Sequence, residues 1–303
     1  MDHREQRAQV RLATLSGHVA STSAAPGRML EGKTAIITGA GKGIGEAAAL
    51  EMAAHGAAVV VCDLDGPAAS SVVQRIQAAG GRAVAVQADV TSEDAPARIV
   101  EAAVKAFGGL DILVNNAGFT WDGVIQKMTP TQWEMMLKVH CTAPFRLIQA
   151  ATPYMRDAGK TEAAGGGSPK PRSIVNISST TGTHGNAGQA NYATAKAGII
   201  GLTKSVAKEW GPFGVRCNAL AFGLIDTRLT RPKEGGEAIE VDGQKVALGI
   251  PGADSYWKSV MSQVPLRRAG SAEEAAGAIM MLVCPWAAYV TGQVIEVNGG
   301  SFM

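Results

Sequence analysis

The amino-acid sequence predicts a doubly wound α/β fold: one domain, about seven parallel strands, and helices on both faces of the sheet. Three observations carry this. Short runs rich in β-branched residues alternate with helix-patterned segments along nearly the whole chain. The runs are almost continuously apolar, as strands covered on both faces must be. The first run ends in a glycine-rich turn that opens the first helix, the entry to a βαβ unit.

Each element can be justified in order. Lys33–Thr38 (KTAIIT) is the first strand, and Gly45–Gly56 is a helix with Ala, Leu and Met along it and a glycine at its end. Ala57–Cys62 is the second strand, stopped by Asp63. Ala68–Ala79 is amphipathic and closes on Gly80-Gly81. Ala83–Gln87 is a strand, Ala95–Phe107 a helix and Leu110–Val114 a strand. Thr131–Arg156 gives one long helical pattern, with an irregularity expected at Pro144. Ser173–Ile177 is a strand. Tyr192–Trp210 is a helix ending at Gly211-Pro212. Val215–Leu220 is a strand, Ala272–Leu282 a helix and Val294–Val297 the last strand. Two segments break the rhythm. Residues 157–172 read as a polar, Gly/Pro-rich loop. Residues 231–255 read as a charged insertion, expected to form a mobile lid over the substrate.

Composition narrows the function. Hydrophobic residues make up 46% of 303 and charged residues 18%, which supplies a sizeable core and excludes a disordered chain. A net charge of +2 gives no basic field for nucleic acid or an anionic membrane, and 5% aromatics offer no base-stacking surface. No apolar stretch approaches a membrane span. The expected partner is a small molecule. Cys62, Cys141, Cys217 and Cys284 are scattered with no metal-ligand spacing, so they read as buried thiols in a reducing, cytoplasmic setting, and no metal site is expected. Residues 1–31 carry Arg, Ser and Ala without an apolar signal region and read as a disordered arm. An organelle-targeting reading stands beside it. Residues 32–303 form the domain.

Thr38-Gly39-Ala40-Gly41-Lys42-Gly43-Ile44-Gly45 lies at the first strand-to-helix turn. Glycines there let backbone approach a pyrophosphate, and the helix N-terminus offers free N–H groups and a positive dipole end. Gly39, Lys42, Gly43, Ile44 and Gly45 are therefore cofactor candidates on a Rossmann-like sheet. Asp63 ends the second strand 18 residues (63 − 45) after Gly45, where a carboxylate can accept both ribose hydroxyls and repel a 2′-phosphate. This favours NAD. Lys42 pulls the other way, and NADP is the second option.

Hydride transfer to or from a carbinol needs a group that moves the hydroxyl proton. Tyr192 and Lys196, four residues apart, share a helix face. A free tyrosine has a pKa of about 10, and a nearby cation favours its phenolate. Ser179 lies thirteen residues earlier, just past the fifth strand, where its hydroxyl can bond a developing alkoxide. Ser178 beside it reads as structural.

The spacing Thr-Gly-x-x-x-Gly-x-Gly, Asn115-Asn116-Ala117-Gly118 after the fourth strand, and Tyr192-x-x-x-Lys196 occur in that order. Together they resemble the short-chain dehydrogenase/reductase family from about Gly32 to the C-terminus, in the branch with 3-oxoacyl-thioester reductases and hydroxysteroid dehydrogenases. The resemblance implies a catalytic set of Ser179, Tyr192 and Lys196, with Tyr192 and Lys196 also touching the cofactor. Asp89 and Val90 would cover the adenine, Asn116, Ala117 and Gly118 would line the ribose, and Ile225 and Thr227 would contact the carboxamide. It implies a homotetramer or homodimer. Where the family has a fourth catalytic residue, an Asn, this chain has His140. It reads either as the anchor of a proton-relay water or as a packed helix histidine. Phe222-Gly223 replaces the family's Pro-Gly, which puts the bend before Ile225 in question. The first substrate expectation is a 3-hydroxyacyl or 3-oxoacyl thioester, resting on resemblance around Gly185–Lys196 and Val139-His140. A steroid, polyol or xenobiotic ketone is the alternative. A non-catalytic NAD-binding sensor or scaffold is the rival from another class, and the presence of Ser, Tyr and Lys together counts against it.

Overall fold

The protein is described from a computed structural model, which covers residues 28–231, 238–241, 243–249 and 262–303. Seven parallel strands form one sheet: β1 (Thr34–Thr38), β2 (Ala58–Asp63), β3 (Arg82–Gln87), β4 (Ile112–Asn115), β5 (Arg172–Ser179), β6 (Val215–Phe222) and, in the described chain order, β9 (Val294–Val297). Their spatial order is β3-β2-β1-β4-β5-β6-β9. The order reverses direction between β1 and β4, so a crevice opens at the carboxyl ends of these two strands. β1, β2 and β4 are buried almost throughout, which accounts for their unbroken apolar sequence.

One face of the sheet packs on α1 (Gly43–Ala54), α2 (Gly66–Ala78) and α9 (Ala272–Val283), around Ile37, Met52, Val59 and Ile279. The other packs on α3 (Ala95–Phe107), α5 (Ala143–Thr152) and α8 (Ala190–Trp210), around Ile36, Val60, Leu113 and Trp210. The seven expected strands and five of the six expected helices are present, with ends shifted by a few residues; the sixth, over 131–156, is helical in segments. Packing begins before Gly32: Leu30 is buried and its N–H bonds the His55 carbonyl. The rest of the expected arm, residues 1–27, lies outside the described residues.

The long helical pattern before β5 is segmented. α4 (Pro130–Leu137) passes into a π-helical turn over Lys138–Thr142, then α5, a second π-helical turn over Pro153–Asp157, and α6 (Ala158–Ala164). The irregularity falls just before Pro144, and a second one at Pro153 was not expected. The expected loop over 157–172 is corrected: its first half is helix, because Ala158–Ala164 is made of helix-compatible residues. Glu162 then closes the remaining turn by pairing with the buried Arg172, 2.8 Å away, and accepting from the Lys170 N–H. Three further elements had no sequence signal strong enough to find. α7 (Thr180–His184) follows Ser179 directly, and β7 (Ala238–Val241) pairs antiparallel with β8 (Gln244–Ala247). This hairpin lies inside the insertion expected as a lid. Residues 232–237 and 250–261 of and beside that insertion, including Trp257 and Met261, lie outside the described residues.

Candidate active site

A cavity of about 650 Å³ lies at the carboxyl ends of β1, β2 and β4. Gly39, Lys42, Gly43, Ile44, Asp63, Asp89, Val90, Asn116, Ala117, Gly118 and Thr227 line it, so most of the expected cofactor residues meet in one place. The glycine turn is held by side chains behind it. The Asn116 amide donates to the carbonyls of Thr38 and Gly39, at 2.9 and 3.0 Å, and the Thr38 hydroxyl accepts from the N–H groups of Asn116 and Ala117. A Cβ on Gly39 would stand 2.8 Å from the Ala117 Cα, and one on Gly45 would stand 2.2 Å from the Gly39 carbonyl oxygen. Gly45 therefore acts by letting α1 close on the turn. It does not line the cavity.

Asp63 is fixed at the end of β2 by two backbone donors, Gly41 N–H at 2.8 Å and Asp65 N–H at 3.0 Å. Gly41 was missed as a cofactor-turn residue. A Cβ there would stand 3.0 Å from the Asp63 carboxylate, so the glycine is what lets the acid close on the turn. No side chain caps α1, whose first residues Gly43 and Ile44 face the cavity. Uncapped N–H groups, a glycine cradle and a strand-end carboxylate fit a dinucleotide's pyrophosphate and ribose.

Ile225 does not line the cavity with its side chain. It is 5% exposed within the core, its backbone bridges to Gly270, and its carbonyl accepts from the Thr230 hydroxyl at 2.6 Å. Phe222 is likewise buried in that core instead of flanking the cavity. The reason is local: β6 continues through Phe222, which turns this side chain inward.

The chemical residues come from other elements. Ser179 ends β5 and caps α7, accepting from the Thr181 N–H at 3.1 Å. Tyr192 is half-buried on the first turn of α8, and the nearby Ser179 hydroxyl acts in the sense that favours its phenolate. The Ser179 hydroxyl itself donates to the Phe222 carbonyl at 3.4 Å. Lys196 is buried one turn on. Its Nζ donates to the Ile177 carbonyl at 2.6 Å and lies 5.6 Å from the Tyr192 ring centre. Ser178 is structural, donating to the Lys196 carbonyl at 2.7 Å. Burial pushes Lys196 down to about 7 and Tyr192 up to about 12. This corrects the expectation of a depressed tyrosine pKa: in this arrangement desolvation outweighs the influence of the Ser179 hydroxyl, and Asp122 adds negative charge.

His140 sits in the first π-helical turn, a frequent device at functional sites. Its Nε2 faces the Phe119 carbonyl at 2.8 Å, so Nε2 carries the proton and Nδ1 is the bare acceptor. Nδ1 is buried and has no partner among the described residues. The ring meets Tyr192 edge-on, centroids 5.1 Å apart, and occupies the space a Cβ on Gly118 would need. Burial and the Lys196 charge hold His140 well below its usual range, as a neutral ring.

Above Tyr192 lies an apolar cluster of Phe119, Met136, Val139, Val241, Val246 and Leu248. Its last three members belong to the hairpin and the residue after it. Tyr192 packs against this cluster, whose Phe119, Val139 and Val241 also line the large cavity, while Ser179, Tyr192 and Lys196 are not among its walls. Among the described residues no group of His, Cys, Asp and Glu could hold a metal, and no helix is long and apolar enough to cross a membrane.

The profile of the family described as enoyl-(acyl carrier protein) reductase matches residues 39–301. The chain belongs to the short-chain dehydrogenase/reductase family. As a short-chain dehydrogenase/reductase it is an NAD(P)-dependent oxidoreductase acting on CH–OH groups. It is 36% identical over 271 residues to the 3-oxoacyl-[acyl-carrier-protein] reductase FabG of Thermotoga maritima, covering 89% of this chain and 98% of the relative. The FabG of Vibrio cholerae is 36% identical over 274 residues, covering 90% and 99%. Among solved structures, a 7α-hydroxysteroid dehydrogenase complexed with NADH and 7-oxoglycochenodeoxycholic acid superposes with a TM-score of 0.77 at 30% identity, covering 90% of this chain and 96% of that one. A short-chain dehydrogenase/reductase of the glucose/ribitol type from Brucella melitensis gives 0.74 at 27% identity, covering 91% and 98%.

Proposed function

We propose that this short-chain dehydrogenase/reductase interconverts 3-oxoacyl and 3-hydroxyacyl thioesters with a preference for NAD(H). The observation that carries the chemistry is the packing of the end of β5, which holds Ser179, on the start of α8: Lys196 Nζ donates to the Ile177 carbonyl at 2.6 Å and lies 5.6 Å from the Tyr192 ring, and Tyr192 packs against an apolar cluster suited to an acyl chain. The full-length likeness to FabG reductases supports the thioester.

The dinucleotide, when bound, supplies or takes the hydride at the carbinol carbon. Gly39, Lys42, Gly43, Ile44 and Gly45 would form its pyrophosphate turn, directly or by letting the turn close, and Asp63 its ribose acceptor. Asp89, Val90, Asn116, Ala117, Gly118 and Thr227 would line the rest. Ile225, its side chain in the core, would meet the carboxamide only through main-chain atoms. Ser179 donates a hydrogen bond to the carbonyl oxygen, lowering the cost of negative charge there. Tyr192 holds its proton at neutral pH and gives it to that oxygen in the reductive direction. Lys196 would bond the ribose and share its charge with the tyrosine as the phenolate forms. His140, neutral and tautomer-locked, would offer Nδ1 to a water that returns a proton toward Lys196.

The test is reduction of a short 3-oxoacyl thioester followed by NADH absorbance, beside NADPH and beside a 7-oxosteroid. Faster turnover of the thioester with NADH supports the reading. A specific observation favours a second one: the steroid-complexed neighbour has a similar overall fold. Preferential steroid turnover would establish it. Turnover on neither, with NADH still bound, would favour a sensor or scaffold. We also infer a homodimer or homotetramer, since the sheet ends at β9 and Trp286 and Tyr289 are exposed. Light scattering would read the state. Four free cysteines support a reducing, cytoplasmic setting.

A further inference from the structure

We infer that Asp65 sets which nicotinamide nucleotide this chain accepts, by holding Lys42 in an ion pair and withholding it from a 2′-phosphate. The inference rests on the reading that the large cavity binds a nicotinamide dinucleotide with its ribose at Asp63. It does not depend on the substrate.

The geometry is a relay of three residues. Lys42 projects from the glycine turn into the cavity, the one place in that turn where a cation could meet a phosphate on the ribose. Its Nζ lies 3.3 Å from the Asp65 carboxylate. The Asp65 N–H donates to Asp63 at 3.0 Å, so the residue that neutralises the lysine also orients the ribose acceptor. The other oxygen of Asp65 caps α2 by accepting from the Ala68 N–H at 3.0 Å, which fixes the side chain. Arg75, the next cation lining this end, is paired with Glu46. Lys42 and Arg75 are thus each matched by a carboxylate, Arg228 also lines the cavity and acts on Asp65, and Asp63 is the carboxylate placed for the ribose. Were Asp65 neutral, Lys42 would offset Asp63, and the summed charge of Asp63, Lys42 and position 65 would rise from about −1 to about 0.

Asp63 alone is therefore an incomplete account of cofactor choice. A sequence with the same Asp63 and the same Lys42, but an uncharged residue at position 65, would tolerate a 2′-phosphate much better. The pair is exposed, so the effect is an electrostatic bias of modest size that weakens with salt.

The experiment is fluorescence titration of the full-length chain with NADH and NADPH at low ionic strength. The variants are D65N, K42M and D65N/K42M. Asn caps helices as well as Asp, so D65N should keep α2 intact. Asp65→Ser, which also caps, provides a second neutral variant. The ratio of NADPH to NADH dissociation constants should fall about tenfold in D65N and in Asp65→Ser, as expected for one charge removed within a few ångströms of a dianion in water-like surroundings. NADH affinity should stay within about twofold, since the uncharged ribose gains little from a unit charge. The gain should shrink at high salt, and D65N/K42M should return toward the wild-type ratio. An unchanged ratio in D65N overturns the inference. So does a D65N/K42M ratio shifted as far as that of D65N, because Lys42 would then not be the mediator. A wild type that prefers NADPH overturns the NAD(H) assignment above and leaves this inference to stand or fall on the D65N shift.

Discussion

The nucleotide side of the crevice is made mostly of backbone, and the substrate side of side chains drawn from distant elements. On the first side, one stretch of β1, turn and α1 carries the glycines, and Thr38, Asn116 and Asp63 brace it through main-chain groups. On the second, Ser179 comes from β5, Tyr192 and Lys196 from α8, His140 from a π-helical turn, and the cover from a hairpin late in the chain. The first side is a local device that tolerates little change at its close approaches. The second is an assembly in which each residue can be altered with a separable effect.

Lys196→Met should break the separation most strongly, because this residue belongs to both sides. We expect turnover to fall by about 10²-fold or more, together with weaker NADH binding. Its buried ammonium also makes stability depend on pH. The folded pKa of about 7 lies below the unfolded value of about 10.4. Between these values the unfolded chain holds the proton and the folded chain does not, so stability from this group rises with pH through that window. Below pH 7 both states hold it, and the folded chain bears the full burial cost. Thermal melts from pH 6 to 10 should therefore show wild type gaining on Lys196→Met as pH rises, by a few kcal/mol. A pH-independent difference would contradict the buried-cation account.

Gly45→Ala should act on the nucleotide side only. The added Cβ would stand 2.2 Å from the Gly39 carbonyl, and the contact is backbone. Overpacking of this kind costs about 1–3 kcal/mol, so a lower melting temperature and weaker NADH binding are expected in parallel. Gly43→Ala sharpens the comparison. Its φ of +60° carries a backbone cost, but its nearest neighbour would be Thr227 at 3.7 Å. It should lose less stability than Gly45→Ala in the same melts.

Val246→Asp should act on the substrate side. Val246 is 6% exposed in the cluster over Tyr192. A charge there would loosen the hairpin and raise the thioester KM by about tenfold, in line with the roughly 1.5–3 kcal/mol that burying a Val side chain is worth. NADH affinity measured in the same variant should fall by much less than the KM rises, although Ile239, Glu240 and Val241 of the hairpin also line the large cavity. Collapse of NADH binding with an unaffected KM would mean that the hairpin serves folding or assembly.

The same contrast explains what could be read before the structure. The seven strands were legible because each is a short, nearly unbroken apolar run ended by Gly or Asp, and the nucleotide turn because its residues are contiguous. Tyr192, Lys196 and Ser179 were legible from helix spacing and a strand end, with the family likeness joining them. The hairpin was not, because β7 and β8 are four residues each within a charged segment. Its register depends on seating Val241 and Val246 against Phe119 and Val139, far away in sequence. The pKa of Tyr192 was misjudged for a related reason. Spacing to Lys196 is visible in sequence, whereas desolvation depends on the whole surrounding assembly. The burial of the Phe222 and Ile225 side chains was not legible, because nothing local shows that they turn into the core.

The account's central claim is that Tyr192 carries the proton while the nucleotide side binds independently of it. Tyr192→Phe keeps the ring against His140 and removes only the hydroxyl. The decisive measurement is turnover of the thioester and NADH affinity in that one variant. The account predicts a fall in kcat of about 10²–10⁴-fold, with the NADH dissociation constant within about twofold of wild type because no nucleotide-side contact is lost. Near-wild-type turnover, or NADH binding lost along with activity, would contradict it.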